Sequence, residues 1–433
     1  MVNPAYLGLD VSQADISVCF VLADGHEPTP RWSVIHNQPG SAALCATLAQ
    51  LCHDHQVSEL RIGIEATGLL WWHLACAMAT ATSLTPFTPH IYVLNPHLVA
   101  TFRRNYGALP KTDRADAFLI AERIRFGRQL PPPFQVDLRY APLQRLTRFR
   151  YHLIHNLARE KTYFLSFLGL TFSAFSQADP FGDPFGATSS ALLTELTTDE
   201  VAQQPLDALA TYLQEHGHGH FADPLARAET LQRAARDSYR LHHALQEPLR
   251  IVLSTTMANI RTLKAQLKQL DQTIALELQA ITQTLASIPG LGPVWTAGII
   301  AEIGAITRFP DDDALAQFAG LTWSTYQSGQ FQAEDTSLTQ RGNTYPRYYL
   351  VEAANSVRMH CPEYRQYYAA KYAETPKHAH HRALVLTARK LVRLVDALLR
   401  SATLYQSPEQ RQRPPNSLPH PPCPARQRRS KPA

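Results

Sequence analysis

The sequence predicts an α/β region followed by a mainly helical remainder. Short β-prone apolar runs bounded by turn signals fill the first hundred residues. Further on, residues 142–170 and 225–286 carry apolar side chains at helical spacing. With 433 residues, 45% of them hydrophobic and 18% charged, the chain can bury more than one core and is not a mostly disordered polymer.

Taken in order, residues 6–11, 16–22 and 32–35 read as strands, 41–55 as a helix, 60–65 as a strand, 69–79 as a helix and 90–94 as a strand. Three strands followed by alternating helix and strand is the order of a ribonuclease-H-like sheet. Residues 112–130 read as a helix starting near Thr112 or Asp113, and three prolines at 131–133 break the chain. Residues 142–170 read as a long amphipathic helix carrying Arg145, Arg148, Arg150 and Arg159. Residues 174–224 are rich in Gly, Pro, Ser, Thr and Asp and read as an irregular insertion. Residues 225–286 read as one long helix. Ile260, Leu263, Leu267, Leu270, Ile274 and Ile281 on it have coiled-coil spacing, which equally suits an antiparallel pair with 142–170. The domains expected are 1–130, a helical region 138–286, a compact helical region 287–402 and a disordered basic tail 407–433.

No apolar run reaches 18 residues, so no membrane span is expected. The start MVNPAYLGLDVS lacks the basic and apolar stretches of a signal peptide. The six Cys show no CxxC or other zinc spacing, which fits reduced thiols and a cytoplasmic location. The net charge of +5 hides segregation. Residues 101–170 hold 13 basic against 5 acidic side chains, and residues 341–433 hold 17 against 5. Both basic blocks adjoin acidic ones, which points to a polyanion partner.

Asp10 in YLGLDVS interrupts an apolar strand, and Glu65 in RIGIEATG ends another. Asp113 and Asp116 in PKTDRADA share one helix face by their i,i+3 spacing. If the four converge, they form a hard, oxygen-rich site for one or two Mg²⁺ ions acting on a phosphodiester. Singly, each has a plain alternative as a turn cap, strand end or helix cap. Lys111 and Arg114 flank the acid pair and, with Arg145 and Arg148, are candidates for phosphate contact.

SIPGLGP at 287–293 before an apolar helix resembles a helix–hairpin–helix turn, with Gly290 and Gly292 allowing close phosphate approach. AGLTWSTYQSG then places Ser328 before Gly329, and QRGN places Arg341 where it can hold a phosphate. By composition alone the Ser-Gly pair is a turn. HGHGH at 216–220 reads as loop histidine, and the tyrosines at 364, 367, 368 and 372 as packing.

GLDVS, IEATG, NPHLV, KTDRADA, IPGLGP, AGLTWSTYQSG and QRGN together resemble the insertion-sequence transposases of the IS-one-ten and IS-eleven-eleven group, DEDD transposases also called bridge recombinases. The resemblance covers about 5–170 and 250–402. It implies a RuvC-like N-terminal domain, a coiled-coil segment and a C-terminal transposase domain. It implies that Asp10, Glu65, Asp113 and Asp116 bind Mg²⁺ and that Ser328 attacks the DNA backbone, with Ser324 the alternative serine. The partners it implies are donor and target DNA, a structured noncoding bridge RNA and further copies of the chain, as dimers assembling into tetramers. It also implies action in the cytoplasm on the nucleoid. Gln340 replaces the family's usual Lys, and Pro346 stands where a plain helix former is expected. The rival readings are a RuvC-like junction nuclease using water, a non-catalytic DNA- or RNA-binding protein, and an actin-like ATPase sharing the opening strand.

Overall fold

The computed structural model describes residues 3–107, 109–128, 130–218, 220–323, 327–328, 331–332, 338–339 and 342–411. The chain divides into two compact units, residues 1–138 and 139–433.

The first unit is built on β1 (Pro4–Val11), β2 (Asp15–Leu22), β3 (Trp32–Ile35), β4 (Glu59–Glu65) and β5 (His90–Leu94). The sheet order is β3-β2-β1-β4-β5. β1 pairs antiparallel with β2 and parallel with β4, and β4 is parallel to β5. This mixed sheet is compatible with the ribonuclease-H-like order expected. β1 is apolar at every position but Asp10, and β4 is apolar at Leu60, Ile62, Gly63 and Ile64, because helices cover both faces there. Ala5, Leu7, Leu9, Leu60, Ile62 and Ile64 pack toward α1 (Gln38–Asp54) and α2 (Trp71–Thr80). The opposite face receives α3 (Pro96–Arg103) and α4 (Asp113–Phe126) through Val99, Ala117, Ile120 and Ala121. Thr112 caps α4 by accepting from the Ala115 N–H at 3.3 Å, and Gly127 at φ +71° ends it at Phe126, four residues short of the expected limit.

The second unit is helical. α5 (Ala141–Thr171) leads into α6 (Phe175–Ala178), α7 (Ala187–Glu195), α8 (Thr198–Gln203), α9 (Leu206–His216) and α10 (Pro224–Asp237). Then follow α11 (His243–Gln279), α12 (Pro293–Ile303) and α13 (Asp312–Ala319). Two-residue strands β6 (Gln327–Ser328) and β7 (Phe331–Gln332) pair before α14 (Thr344–His360), α15 (Pro362–Ala373), α16 (Ala379–Ser401) and α17 (Pro408–Arg411).

Two expectations are corrected here. Residues 174–224 are not irregular; Pro180, Gly182, Pro184, Gly186, Pro205 and Gly217 sit between short helices, while Leu192, Leu193, Val201, Leu209 and Leu213 build a core with α5, α10 and α11. The expected helix 225–286 is two helices, α10 and α11, broken at Ser238, whose hydroxyl bonds the Ala234 carbonyl at 2.9 Å and accepts from the Ala174 N–H at 3.0 Å. α5 and α11 run antiparallel: Leu143 shares a core with Ile274 and Leu278, and Phe164 and Leu168 share one with Met257 and Ile260. The buried seam of Ile260, Leu267 and Ile274 is therefore covered within the chain. Pro346 lies in the first turn of α14, where a missing N–H costs nothing. The expected tail is described only to residue 411. Among the described residues no helix is long and apolar enough to cross a membrane.

Candidate active site

The sheet and one helix bring the acids together. Leu9 of β1 pairs with Ile64 of β4, so Asp10 and Glu65 follow as neighbours on adjacent parallel strands, roughly 5 Å apart along the backbone. Leu9 and Ile64 point to α1 and α2, so strand alternation turns Asp10 and Glu65 to the α4 face. Gly8 and Gly63 are register partners one step further in on that same face. A Cβ added to Gly8 would run into the Ala117 carbonyl and lie 2.5 Å from the Ala121 nitrogen; one added to Gly63 would meet Ile120 Cγ2 at 2.7 Å. Two side-chain-free positions thus seat α4 directly on the sheet. Asp113, one turn before Ala117, comes to the sheet end where Asp10 and Glu65 stand.

The electrostatics agree with this placement. Burial first, then the charges of Asp113, Glu65 and Asp15, push the Asp10 carboxyl up to about 6. Thr67 Oγ1 donates to Glu65 Oε1 at 3.2 Å. Among the described residues no cation pairs with Asp10, Glu65 or Asp113. Asp116 differs, being ion-paired with Arg103 at the end of α3. Asp10, Glu65 and Asp113 feel one another's charge but do not yet stand at metal-ligating separation: among the described residues no three His, Cys, Asp or Glu do. The donor set, repelling carboxylates with one already desolvated, is what a hard divalent cation neutralises, and it fits Mg²⁺.

Lys111 and Arg114 are exposed beside Asp113. Arg148 donates to Glu302 Oε1 and Oε2 at 2.7 and 2.9 Å, and Glu302 is 1% exposed. Arg148 is thus committed to a buried carboxylate on α12. Arg145 is half-buried on α5. Gly290, at φ +86°, faces α14: an added Cβ would lie 2.9 Å from Ser356 O, and Ser356 Oγ donates to the Gly290 carbonyl at 2.6 Å. Gly292 N-caps α12 and has nothing within 4 Å of an added Cβ. Ser328 lies on β6, paired with Phe331. Arg341 and Ser324 lie outside the described residues.

Sequence reasoning missed the residues that frame these positions. Gly8 and Gly63 are legible in GLD and IGIE only as glycines inside apolar strands, a signal of close backbone approach. Asp15, which adds to the charge at Asp10, reads simply as a turn residue. Gly320 and Gly342 abut, so an added Cβ on Gly320 would lie 2.8 Å from the Gly342 nitrogen. Asn343 donates its side-chain amide to Glu302 Oε2 at 2.9 Å and its backbone N–H to Phe318 O at 2.6 Å. Thr339 N–H donates to Thr322 O at 2.8 Å. Residues 318–322 are thereby joined to Thr339, Gly342 and Asn343.

Known proteins share these segments. The family described as "Transposase IS116/IS110/IS902 family" matches residues 282–369, and a family described as "Transposase" matches residues 7–173. The insertion element IS116 uncharacterized 44.8 kDa protein of Streptomyces clavuligerus is 26% identical over 299 residues, 68% of this chain and 72% of its own length. The insertion element IS900 uncharacterized 42 kDa protein of Mycobacterium paratuberculosis is 24% identical over 94% of this chain and 98% of its own. The pilin gene-inverting protein of Moraxella bovis is 28% identical over 162 residues, 37% of this chain and 46% of its own. Both halves of the acid site and the Ser328 region fall inside the matched segments, and the chain belongs to the IS110 (IS-one-ten) family of insertion-sequence transposases, enzymes of DNA recombination.

Proposed function

We propose that the chain cuts and rejoins DNA at the ends of its own insertion element, with Ser328 as nucleophile and Asp10, Glu65, Asp113 and Asp116 holding one or two Mg²⁺ ions. The observation that supports this best is the meeting of Asp10, Glu65 and Asp113 at one sheet end under α4. Mg²⁺ held by these carboxylates would supply Lewis-acid stabilisation of charge on the scissile phosphate. Asp10 and Glu65 orient the site from rigid strand ends, and Asp113 and Asp116 from the first turn of a capped helix.

Ser328 Oγ attacks phosphorus in line. The Oγ–P bond forms, the bond from phosphorus to the departing deoxyribose oxygen breaks, that oxygen takes a proton, and the serine proton passes to solvent. A deoxyribose hydroxyl of a second strand then attacks the phosphoserine ester, the new phosphodiester forms, and Ser328 recovers its proton. One phosphodiester is exchanged for another, so no external energy source is needed. The name of the Moraxella relative, a gene-inverting protein, is in keeping with such an exchange.

The DNA partners are the donor ends and the target, and the guide is the element's own structured noncoding RNA, which reads both by base pairing. The two basic blocks support this, because a protein that delegates sequence reading needs mainly backbone contacts. The active form is a dimer assembling into a tetramer, working in the cytoplasm on the nucleoid.

The test is a denaturing gel for a covalent protein–DNA adduct. The protein, co-expressed with the noncoding segment flanking its gene, is mixed with end-labelled junction DNA and Mg²⁺. We expect an adduct for wild type that is lost in Ser328→Ala and in Asp113→Ala. Cut DNA with free ends, unaffected by Ser328→Ala, would replace this reading with hydrolysis by water at the same acids.

A further inference from the structure

Three of the four acids stand without a cation among the described residues, and the fourth does not. Asp116 is held by Arg103, the last residue of α3. The pair is one helical turn along from Asp113, on the same face of α4. Both partners keep about a quarter of their side-chain surface in water, 26% for Arg103 and 25% for Asp116. Water thus still reaches both partners, although the Arg103 Nη2 that meets Asp116 is itself buried, and a pair that water reaches can exchange its counter-ion more readily than a fully buried one. The guanidinium has a second acceptor on its other nitrogen: Arg103 Nη1 lies 3.4 Å from the Pro110 carbonyl, in the segment that leads into Thr112 and the start of α4. Arg103 can therefore release the carboxylate and stay tethered.

We propose that Arg103 is a positioning residue, an exchangeable counter-ion that holds Asp116 out of the acid cluster and yields it when a divalent cation binds. The inference rests on the metal site proposed above. The physical reason is competition for one carboxylate. A single positive charge spread over a guanidinium balances Asp116 alone. A divalent cation placed among Asp10, Glu65 and Asp113 attracts Asp116 as its fourth oxygen donor, and the monovalent partner loses. The exchange also keeps four carboxylates from repelling one another before the cation arrives, since only three of them are then unpaired. Arg103 consequently lowers the affinity for the first cation and sharpens the site's dependence on it.

Mn²⁺ serves as the probe. Free Mn²⁺ is followed by its electron paramagnetic resonance signal during titration of the full-length protein, without nucleic acid. Arg103→Gln and Arg103→Met, two neutral side chains of similar length, are compared with Arg103→Lys, Asp10→Asn and Asp116→Asn. We expect the neutral variants to bind Mn²⁺ roughly three- to tenfold more tightly. Arg103→Lys should stay within about twofold of wild type, and Asp10→Asn should weaken binding at least about tenfold. The gain should vanish when Arg103→Gln is placed on Asp116→Asn, because the effect runs through that carboxylate. A partly unfolded variant would bind more weakly, not more tightly, so misfolding cannot produce the expected result. Unchanged or weaker binding in both neutral variants, with Asp10→Asn still weakening it, overturns the role of Arg103 and leaves the metal site standing. Binding untouched by Asp10→Asn overturns the metal site itself.

Discussion

Gly8→Ala is expected to damage catalysis more than stability. The built Cβ of residue 8 falls onto the Ala117 carbonyl and 2.5 Å from the Ala121 nitrogen, both backbone atoms of α4. Ordinary contact needs about 3.4 Å or more, and backbone cannot swing aside as a side chain does, so α4 must lift by about 1 Å. Overpacking of this size costs about 1–3 kcal/mol. For a unit of 138 residues the unfolding entropy is about 0.29 kcal/mol/K, so the midpoint of the first unit should fall by about 3–10 °C. Asp113 rides on the lifted turn while Asp10 and Glu65 stay with the sheet. A displacement of about 1 Å at a reacting centre costs on the order of 100-fold in rate, or about 2.7 kcal/mol of barrier. The assay pairs recombination between donor and target plasmids with thermal unfolding of the purified protein. Gly63→Ala should be milder, because its Cβ meets an Ile120 methyl at 2.7 Å and not the main chain. Wild-type recombination by Gly8→Ala, with an unchanged midpoint, would refute the idea that α4 is seated through Gly8 and that this seating sets the acid geometry.

Other outcomes follow from the same geometry. With its folded-state carboxyl raised to about 6 from an ordinary 3.8, Asp10 adds stability when protonated, and this is lost as pH rises from about 3.8 through 6. Metal-free Asp10→Asn should therefore be more stable than wild type at pH 8, by about 1–2 kcal/mol after allowing for solvent screening, and no more stable at pH 3.5, as read by denaturant unfolding. Glu302→Gln should cost about 3–5 kcal/mol, because Arg148 keeps its charge and loses its carboxylate; Arg148→Met combined with Glu302→Leu should cost less than Glu302→Gln alone, and a larger loss in the double variant would count against a buried ion pair. Gly290→Ala should destabilise by about 1–3 kcal/mol, being strained at φ +86° and crowded by Ser356 and His360. Gly292→Ala should stay within about 0.5 kcal/mol, and thermal melts of the two side by side measure the contrast.

Much of the first unit is legible in the chain because strand and helix periods are local. The run 90–94 begins and ends where β5 does, and Trp32–Ile35 is β3. The i,i+3 acids and a helix start near Thr112 or Asp113 are readable for the same reason, since a helix face repeats within four residues, while the structure gives the cap to Thr112. Residues 174–224 mislead because Gly and Pro mark ends of short helices as readily as loops, and Leu192 or Leu209 show their partners only after the chain has folded back. The heptad-like spacing of α11 likewise records that a seam is buried, not what buries it.

The chain alone determined which residues carry negative charge into apolar strands, where the strands of the first unit run, and which family motifs are present, because each is a property of a short stretch. Tertiary structure alone decided that Gly8 and Gly63 stand side by side beneath α4, that Arg103 claims Asp116, and that Glu302 binds Arg148 and Asn343 at once. Those contacts join residues from 13 to 154 positions apart, and no local pattern encodes a partner at such a distance. They depend on sheet register and helix seating, which are settled by burying the whole apolar surface together.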